Sequence, residues 1–187
     1  MFPLTLFPLP GELVPLHIFE PRYRQLLEDA ETRDFSFGIY FNHTTNVDKL
    51  GSLMRLESII KKYPGGESDI IVRCTDLFAM ETMFRTHRDR LYPGGEVEYW
   101  NIDTSIPASE KLTEEFQEYL SMMKMTPHDK IFSAWDIAAE LSLEFDDKLK
   151  FVHFDAEKQA SFLSTRLTYS KHLLIQAEKA KDVFHLN

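Results

Sequence analysis

The side chains that could do chemistry in this chain are sparse and poorly spaced for it. Ser170 and Lys171 juxtapose a hydroxyl and an amine, the two groups of a nucleophile–base pair. On the helix predicted there, however, adjacent side chains diverge by about 100°, so the two cannot form that pair. The seven histidines (His17, His43, His87, His128, His153, His172 and His185) never fall into His-x-x-x-His or His-Glu-x-x-His spacing. His153-Phe154-Asp155 offers one nitrogen and one carboxylate, with Asp155 better used as a helix cap. Glu114-Glu115 and Asp146-Asp147 are paired carboxylates of the kind used in acid–base catalysis, yet both read as solvated charges near helix starts. Cys74 is the single cysteine; among strand residues it reads as a small buried apolar group rather than a nucleophile. No Gly-x-x-x-x-Gly-Lys-Ser/Thr is present to wrap phosphates, because neither Gly-Gly pair is followed by lysine. No catalytic, cofactor-binding or metal-ligating residue is assigned, and the chain reads as a binding module rather than an enzyme.

Composition narrows the partners. At 187 residues, 43% of them hydrophobic, the chain can form one domain or two small ones with real cores. The formal net charge is −9. Up to Asp103 there are 11 Lys and Arg against 16 Asp and Glu, and beyond it 10 against 14, so the acidity is spread evenly. Nucleic-acid binding needs concentrated positive charge, which argues against it. One cysteine excludes an internal disulfide. The opening residues lack a cation before their apolar part and are interrupted by proline, unlike a signal peptide or a membrane helix. The expected setting is the cytoplasm, with no membrane partner.

The elements that must position any site begin with strands at Leu4 to Phe7 and Val14 to Phe19, joined by a turn at Pro10-Gly11. Four prolines (Pro3, Pro8, Pro10, Pro15) deny this stretch to a helix. Val14, Leu16 and Ile18 alternate with Pro15, His17 and Phe19, which puts the aliphatic set on one face. Pro21 suits the first turn of a helix, with Tyr23, Leu26, Leu27 and Ala30 inward and Arg22, Arg24, Gln25, Glu28 and Asp29 outward. Strands are then expected over Phe35 to Asn42, Leu50 to Lys62, Asp69 to Phe84 (irregular near Cys74 to Asp76) and Val97 to Ile102. The two Tyr-Pro-Gly-Gly-Glu runs, at 63–67 and 92–96, read as two independent hairpin-type turns. After the connector Thr104 to Pro107, Ser109 can cap a helix carrying Leu112, Phe116, Leu120 and Met123 and ended by Pro127. Asp129 can cap another, with Ile131, Trp135, Ala138 and Leu141 inward. A short segment at Asp147 to Phe154 precedes a long last helix opened by Asp155.

The run Leu6-Phe7-Pro8-Leu9, then Pro15-Leu16-His17-Ile18-Phe19-Glu20-Pro21-Arg22-Tyr23, closely resembles the start of the LON amino-terminal domain, the substrate-binding part of ATP-dependent Lon proteases. The stretch from Trp135 to Leu167 resembles the helical half of that family more loosely. Cys74 and Leu77-Phe78 depart from it, since the family commonly has glycine and then Arg-Phe there. The resemblance implies an α+β fold: an N-terminal, PUA-like β pseudobarrel with one early helix over 1–103, then a small C-terminal helical bundle over 104–187. It also implies a stand-alone, ATP-independent module, without the family's ATPase and peptidase, that binds unfolded or flexible polypeptide segments. A homodimer and a separate protease or ATPase as associate stay open. A small-molecule or RNA-binding role, as in PUA-type barrels, is the alternative. The signature residues Phe7, Pro8, Pro15, Leu16, Phe19, Glu20, Pro21, Arg22 and Tyr23 are expected to be mostly structural, with Phe19 packed in the barrel and Arg22 tying the helix to nearby backbone or acid. The peptide-binding residues stay unassigned.

Overall fold

A computed structural model describes residues 1–125 and 131–184 of the chain. Two compact units divide it, Met1–Asp103 and Thr104–Asn187. The first contains β1 (Phe2–Leu4), β2 (Leu13–Ile18), α1 (Pro21–Arg33), β3 (Phe37–Phe41), β4 (Leu50–Lys62), β5 (Ser68–Phe84) and β6 (Gly94–Tyr99). The second contains α2 (Glu110–Met122), α3 (Ala134–Glu140), α4 (Phe145–Val152) and α5 (Ala156–Phe184). The α+β class expected from the sequence is what is found.

The six strands form one mixed sheet in the order β1-β3-β4-β5-β2, with β6 also paired to β5. Among the described strands only β1 and β3 run parallel. The long β4–β5 ladder is interrupted by register shifts at Leu53/Met54, Leu56/Ser58 and Ile59/Lys61, and such bulges bend and twist a sheet. The first lies opposite Thr75, inside the stretch where irregularity was expected. There the Asp76 carboxylate accepts hydrogen bonds from the backbone N–H groups of Leu77 (2.8 Å), Asn101 (3.0 Å) and Ile102 (3.1 Å). One side chain thus ties the strand just past the bulge to the chain leaving β6.

Several expectations are corrected. The first strand is Phe2–Leu4, not Leu4 to Phe7. Residues 7–9 are buried without joining the ladder, their carbonyls finding other donors: that of Pro8 accepts from Ser52 Oγ (2.7 Å) and Cys74 Sγ (3.3 Å), and that of Leu9 from Glu12 N (3.0 Å). Phe19 lies outside β2 and is 57% exposed rather than packed in the core. The alternation explains it: Ile18 is buried, so Phe19 shares the outward face with His17, whose ring stacks on it at 5.9 Å. The two Tyr-Pro-Gly-Gly runs do different jobs. The first is a turn joining β4 to β5, with Gly66 N donating to Tyr63 O and Gly66 at φ 91°. In the second, Gly94 and Gly95 open β6. A side chain at Gly95 would meet the Thr82 carbonyl at 2.6 Å, so strand contact rather than turn geometry requires glycine there.

The helical unit also differs in detail. Ser109 caps α2, as expected, through Leu112 N (3.4 Å), but Met123 is the exposed C-cap rather than a core position. The next helix starts only at Ala134, where Ser133 and Asp136 form a reciprocal capping box, leaving Ile131 71% exposed. The expected stop at Pro127 and cap at Asp129 lie outside the described residues, as do His128 and His185. Asp155 does cap α5, accepting from Lys158 N (2.9 Å). Phe116, Phe132, Phe151, Leu163 and Leu167 form the interior, with Phe116 and Phe132 edge-on at 5.0 Å.

In the first unit, the Phe78 ring lies over two strand glycines. A Cβ at Gly38 would meet Phe78 at 2.9 Å, and one at Gly51 would meet it at 2.3 Å and the Ile39 carbonyl at 2.8 Å. Replacing Gly51 by alanine is therefore expected to destabilise the fold by about 2 kcal/mol, the usual cost of overpacking. Urea unfolding measures this, and a midpoint equal to wild type would show that the ring can move aside.

Candidate functional site

The signature residues build a corner, and none of them lines the cavity beside α1. Pro21 is the first residue of α1, and the Glu20 carbonyl receives the N–H groups of Tyr23 and Arg24. Arg22 Nε donates to Glu20 (2.9 Å), and its guanidinium sits 4.5 Å above the Tyr23 ring. Tyr23 is buried against Phe2 (4.3 Å) and Phe7 against Phe41 (5.8 Å). Pro15 and Leu16 pair with Ile71 and Ile70. Outward from this corner, His17 Nδ1 and the Tyr63 hydroxyl both approach the Asp69 carboxylate at 2.6 Å. The Tyr63 hydrogen bond, then that of His17, holds the Asp69 carboxyl below its ordinary range.

Three of the residues singled out for chemistry, Lys171, Asp147 and Cys74, are engaged elsewhere. Lys171 pairs with Glu118 rather than with Ser170. Asp147 is not a solvated helix-start charge as expected: it is buried and held at 2.6 Å by Arg166. Its neighbour on α5 supplies the compensating charge that burial demands. Cys74 is buried, and desolvation pushes its thiol well above the usual range, away from nucleophile chemistry. Among the described residues no group of three or more His, Cys, Asp or Glu could hold a metal ion. No described helix is long and apolar enough to cross a membrane.

A cavity of about 400 Å³ opens instead where α1 ends, β3 begins and the 85–93 connection folds back. That is within the size range of ligand pockets. Its apolar wall comes from Leu26, Phe35, Phe37, Leu53, Phe78 and Val97, with Tyr99 beside them. Arg33, His87, Arg88 and Arg90 supply its polar side. The connection is kept closed on itself by His87 N donating to Tyr92 O (2.8 Å), with the two rings stacked 7° from parallel. Two groups of α1 then hold it. Gln25 Oε1 accepts from Leu91 N (2.7 Å), and the Asp29 carboxylate accepts from the Tyr92 hydroxyl (2.8 Å).

Asp29 is the residue that sequence reasoning misplaced. Its position on the helical wheel is outward among charged neighbours, yet it is buried, with Arg90 at 3.3 Å and Arg33 at 3.6 Å. A buried carboxylate is tolerated only when paired and hydrogen-bonded, and three partners meet that need. One backbone feature marks the rim: Arg88 has a φ of 54°, a left-handed conformation that non-glycine residues adopt at a cost of about 1–3 kcal/mol and that clusters at ligand sites. The one sequence signal for this place was the charged run Thr86 to Arg90, readable as a loop and no more.

With the geometry in place, the comparisons with known proteins are informative. A family profile described as the ATP-dependent protease La (LON) substrate-binding domain matches residues 1–174. Among solved structures, a Lon N-terminal domain protein from Xanthomonas campestris superposes with a TM-score of 0.65 at 23% identity, over 87% of this chain and 94% of that one. The N-terminal domain of the Mycobacterium avium complex Lon protease does so with a TM-score of 0.60 at 14% identity, over 90% and 96%. At these identities the likeness shows the fold. No curated protein sequence matches the chain.

The clasp at Asp29 has a pH signature. Burial, and next the hydrogen bond to Asp29, raise the Tyr92 hydroxyl to about 12. A tyrosine whose folded value exceeds its unfolded one, about 10, contributes stability that is complete below pH 10 and lost as pH rises towards 12. Wild-type stability in urea should therefore fall more steeply between pH 10 and 12 than that of Tyr92→Phe. Parallel slopes for the two proteins would refute the clasp.

Proposed function

Since the chain belongs to the LON substrate-binding domain family, we propose that it works as a non-catalytic module that captures unfolded or flexible polypeptide. The observation that carries this reading is the cavity beside α1. A binding module needs concave apolar surface with a few oriented polar groups, and this one combines an aromatic wall with guanidinium groups held in place by Asp29. Aromatic rings give large contact area at small entropic cost, which suits variable sequences. The occupied state of Lys171, Asp147 and Cys74 supports a role without turnover.

A small organic ligand is the second reading, favoured by the cavity's volume of about 400 Å³, which also suits a single drug-sized molecule. RNA finds less support, because the rim offers three arginines where a phosphate backbone calls for a longer basic track.

Titration calorimetry with a permanently unfolded protein, such as reduced and carboxymethylated lactalbumin, tests the first reading. Binding with a Kd on the order of micromolar is expected, about −8 kcal/mol, with none for the folded, disulfide-intact form. Ser36→Trp, which fills the cavity from an exposed lining position, should weaken binding at least about fivefold without lowering the melting temperature. Equal heats for folded and unfolded forms would exclude polypeptide capture. ATP and peptide hydrolysis by the same preparation are expected to stay at the buffer rate.

A further inference from the structure

The charges around the cavity specify more than apolar capture. Arg33, Arg88 and Arg90 line it together with Asp89, and Asp29 lies just behind them. Three guanidiniums against two carboxylates leave one positive charge in a chain whose net charge is −9. These arginines are not equivalent. Arg33 and Arg90 both reach Asp29, which holds their side chains in place. Arg90 also has Asp89 at 3.9 Å, although that carboxylate is 86% exposed. Arg88 takes part in no hydrogen bond or ion pair among the described residues, and its backbone is held at φ 54°. A planar donor fork is thus presented at the cavity, on a backbone conformation that residues other than glycine rarely adopt, without an acceptor of its own. Guanidinium groups bind carboxylates bidentately.

We infer that the cavity is an anchor site for a large apolar side chain with a single carboxylate beside it, Arg88 being the carboxylate ligand and Asp29 the positioning residue for Arg33 and Arg90. This rests on the polypeptide-capture reading and deepens it by stating which part of a chain enters. One excess positive charge matches a carboxylate better than a dianionic phosphate. The aromatic wall formed by Phe35, Phe37 and Phe78 takes the neighbouring side chain. Two sources in a polypeptide supply this chemistry: an apolar residue at a free C-terminus, and an apolar residue next to an internal aspartate or glutamate.

Fluorescence anisotropy with four dye-labelled peptides separates them. One pair ends in phenylalanine, as the free acid or the carboxamide. The other is amidated and carries an internal Phe-Glu or Phe-Gln. At least one acid should bind about five- to tenfold more tightly than its neutral partner, and the pair showing the difference identifies the source. Arg88→Gly, which removes the guanidinium and suits the left-handed backbone, should close that gap to within about twofold. Its melting temperature should equal or exceed that of wild type, and Arg88→Lys should restore part of the gap. Equal binding of acids and neutral partners would overturn the anchor and leave polypeptide capture standing, as would a gap that survives Arg88→Gly. No binding of any peptide, together with none of the unfolded protein, would overturn both.

Discussion

The contact on which the β unit depends is that of the Phe78 ring with two glycines on neighbouring strands. A fully buried phenylalanine must lie against the sheet, and the sheet can accept it only where two residues lack a Cβ: Gly38 on β3 and Gly51 on β4. Met1 and Met80 then pack around the ring, with Tyr40, Leu53 and Val97 at the edge of the cluster. The same ring and the same Gly38 line the cavity. The concavity is thus a consequence of how the strands pack. Apolar volume withheld at two positions lets one ring lie low, and the space above it stays open because the 85–93 connection is held away on α1.

That second support is electrostatic. Asp29 brings a charge into the protein, which alone would be costly, and recovers it through a tyrosine and two arginines drawn from α1 and the connection. Removing one partner leaves the others around an uncompensated group, so the clasp behaves as a unit. The rest of α1 and its C-cap residue Asp34 are tied to the β4–β5 hairpin by the half-buried pair Arg24 with Glu67 and the exposed pairs Lys62 with Glu31 and Arg55 with Asp34. Such pairs contribute little individually.

This division explains what could be read from the sequence. Strands β4 and β5 and the turn at Gly66 were legible because period-two patterning and turn chemistry are local. The resemblance carried by Pro15 to Tyr23 was specific because a strand entering a proline-started helix needs those residue types in that order. Phe19 was misjudged because aromatic character was set above phase, although the alternation of Val14, Leu16 and Ile18 already put it outside. Asp29 and the second glycine pair were illegible for another reason. Their roles depend on partners 50 or more positions away or across a ladder, at Tyr92, Arg90 and Thr82, and no local rule ranks a charged residue on a polar helix face as buried. The helical unit failed similarly at Asp147, whose partner Arg166 lies on the next helix.

The acidity of the chain and the basic rim of its cavity are compatible once range is considered. At physiological ionic strength, exposed charges farther than about 8 Å apart are largely screened, so a net charge of −9 spread over the surface does not set the potential inside a concave site. The five charged groups around the cavity do, and three of them, Asp29, Arg33 and Arg90, are oriented by their ion pairs with one another. Composition therefore speaks to ligands that touch much of the surface at once. A nucleic acid, which must neutralise many phosphates along a track, meets the overall charge; a single carboxylate entering the cavity meets only its arginines.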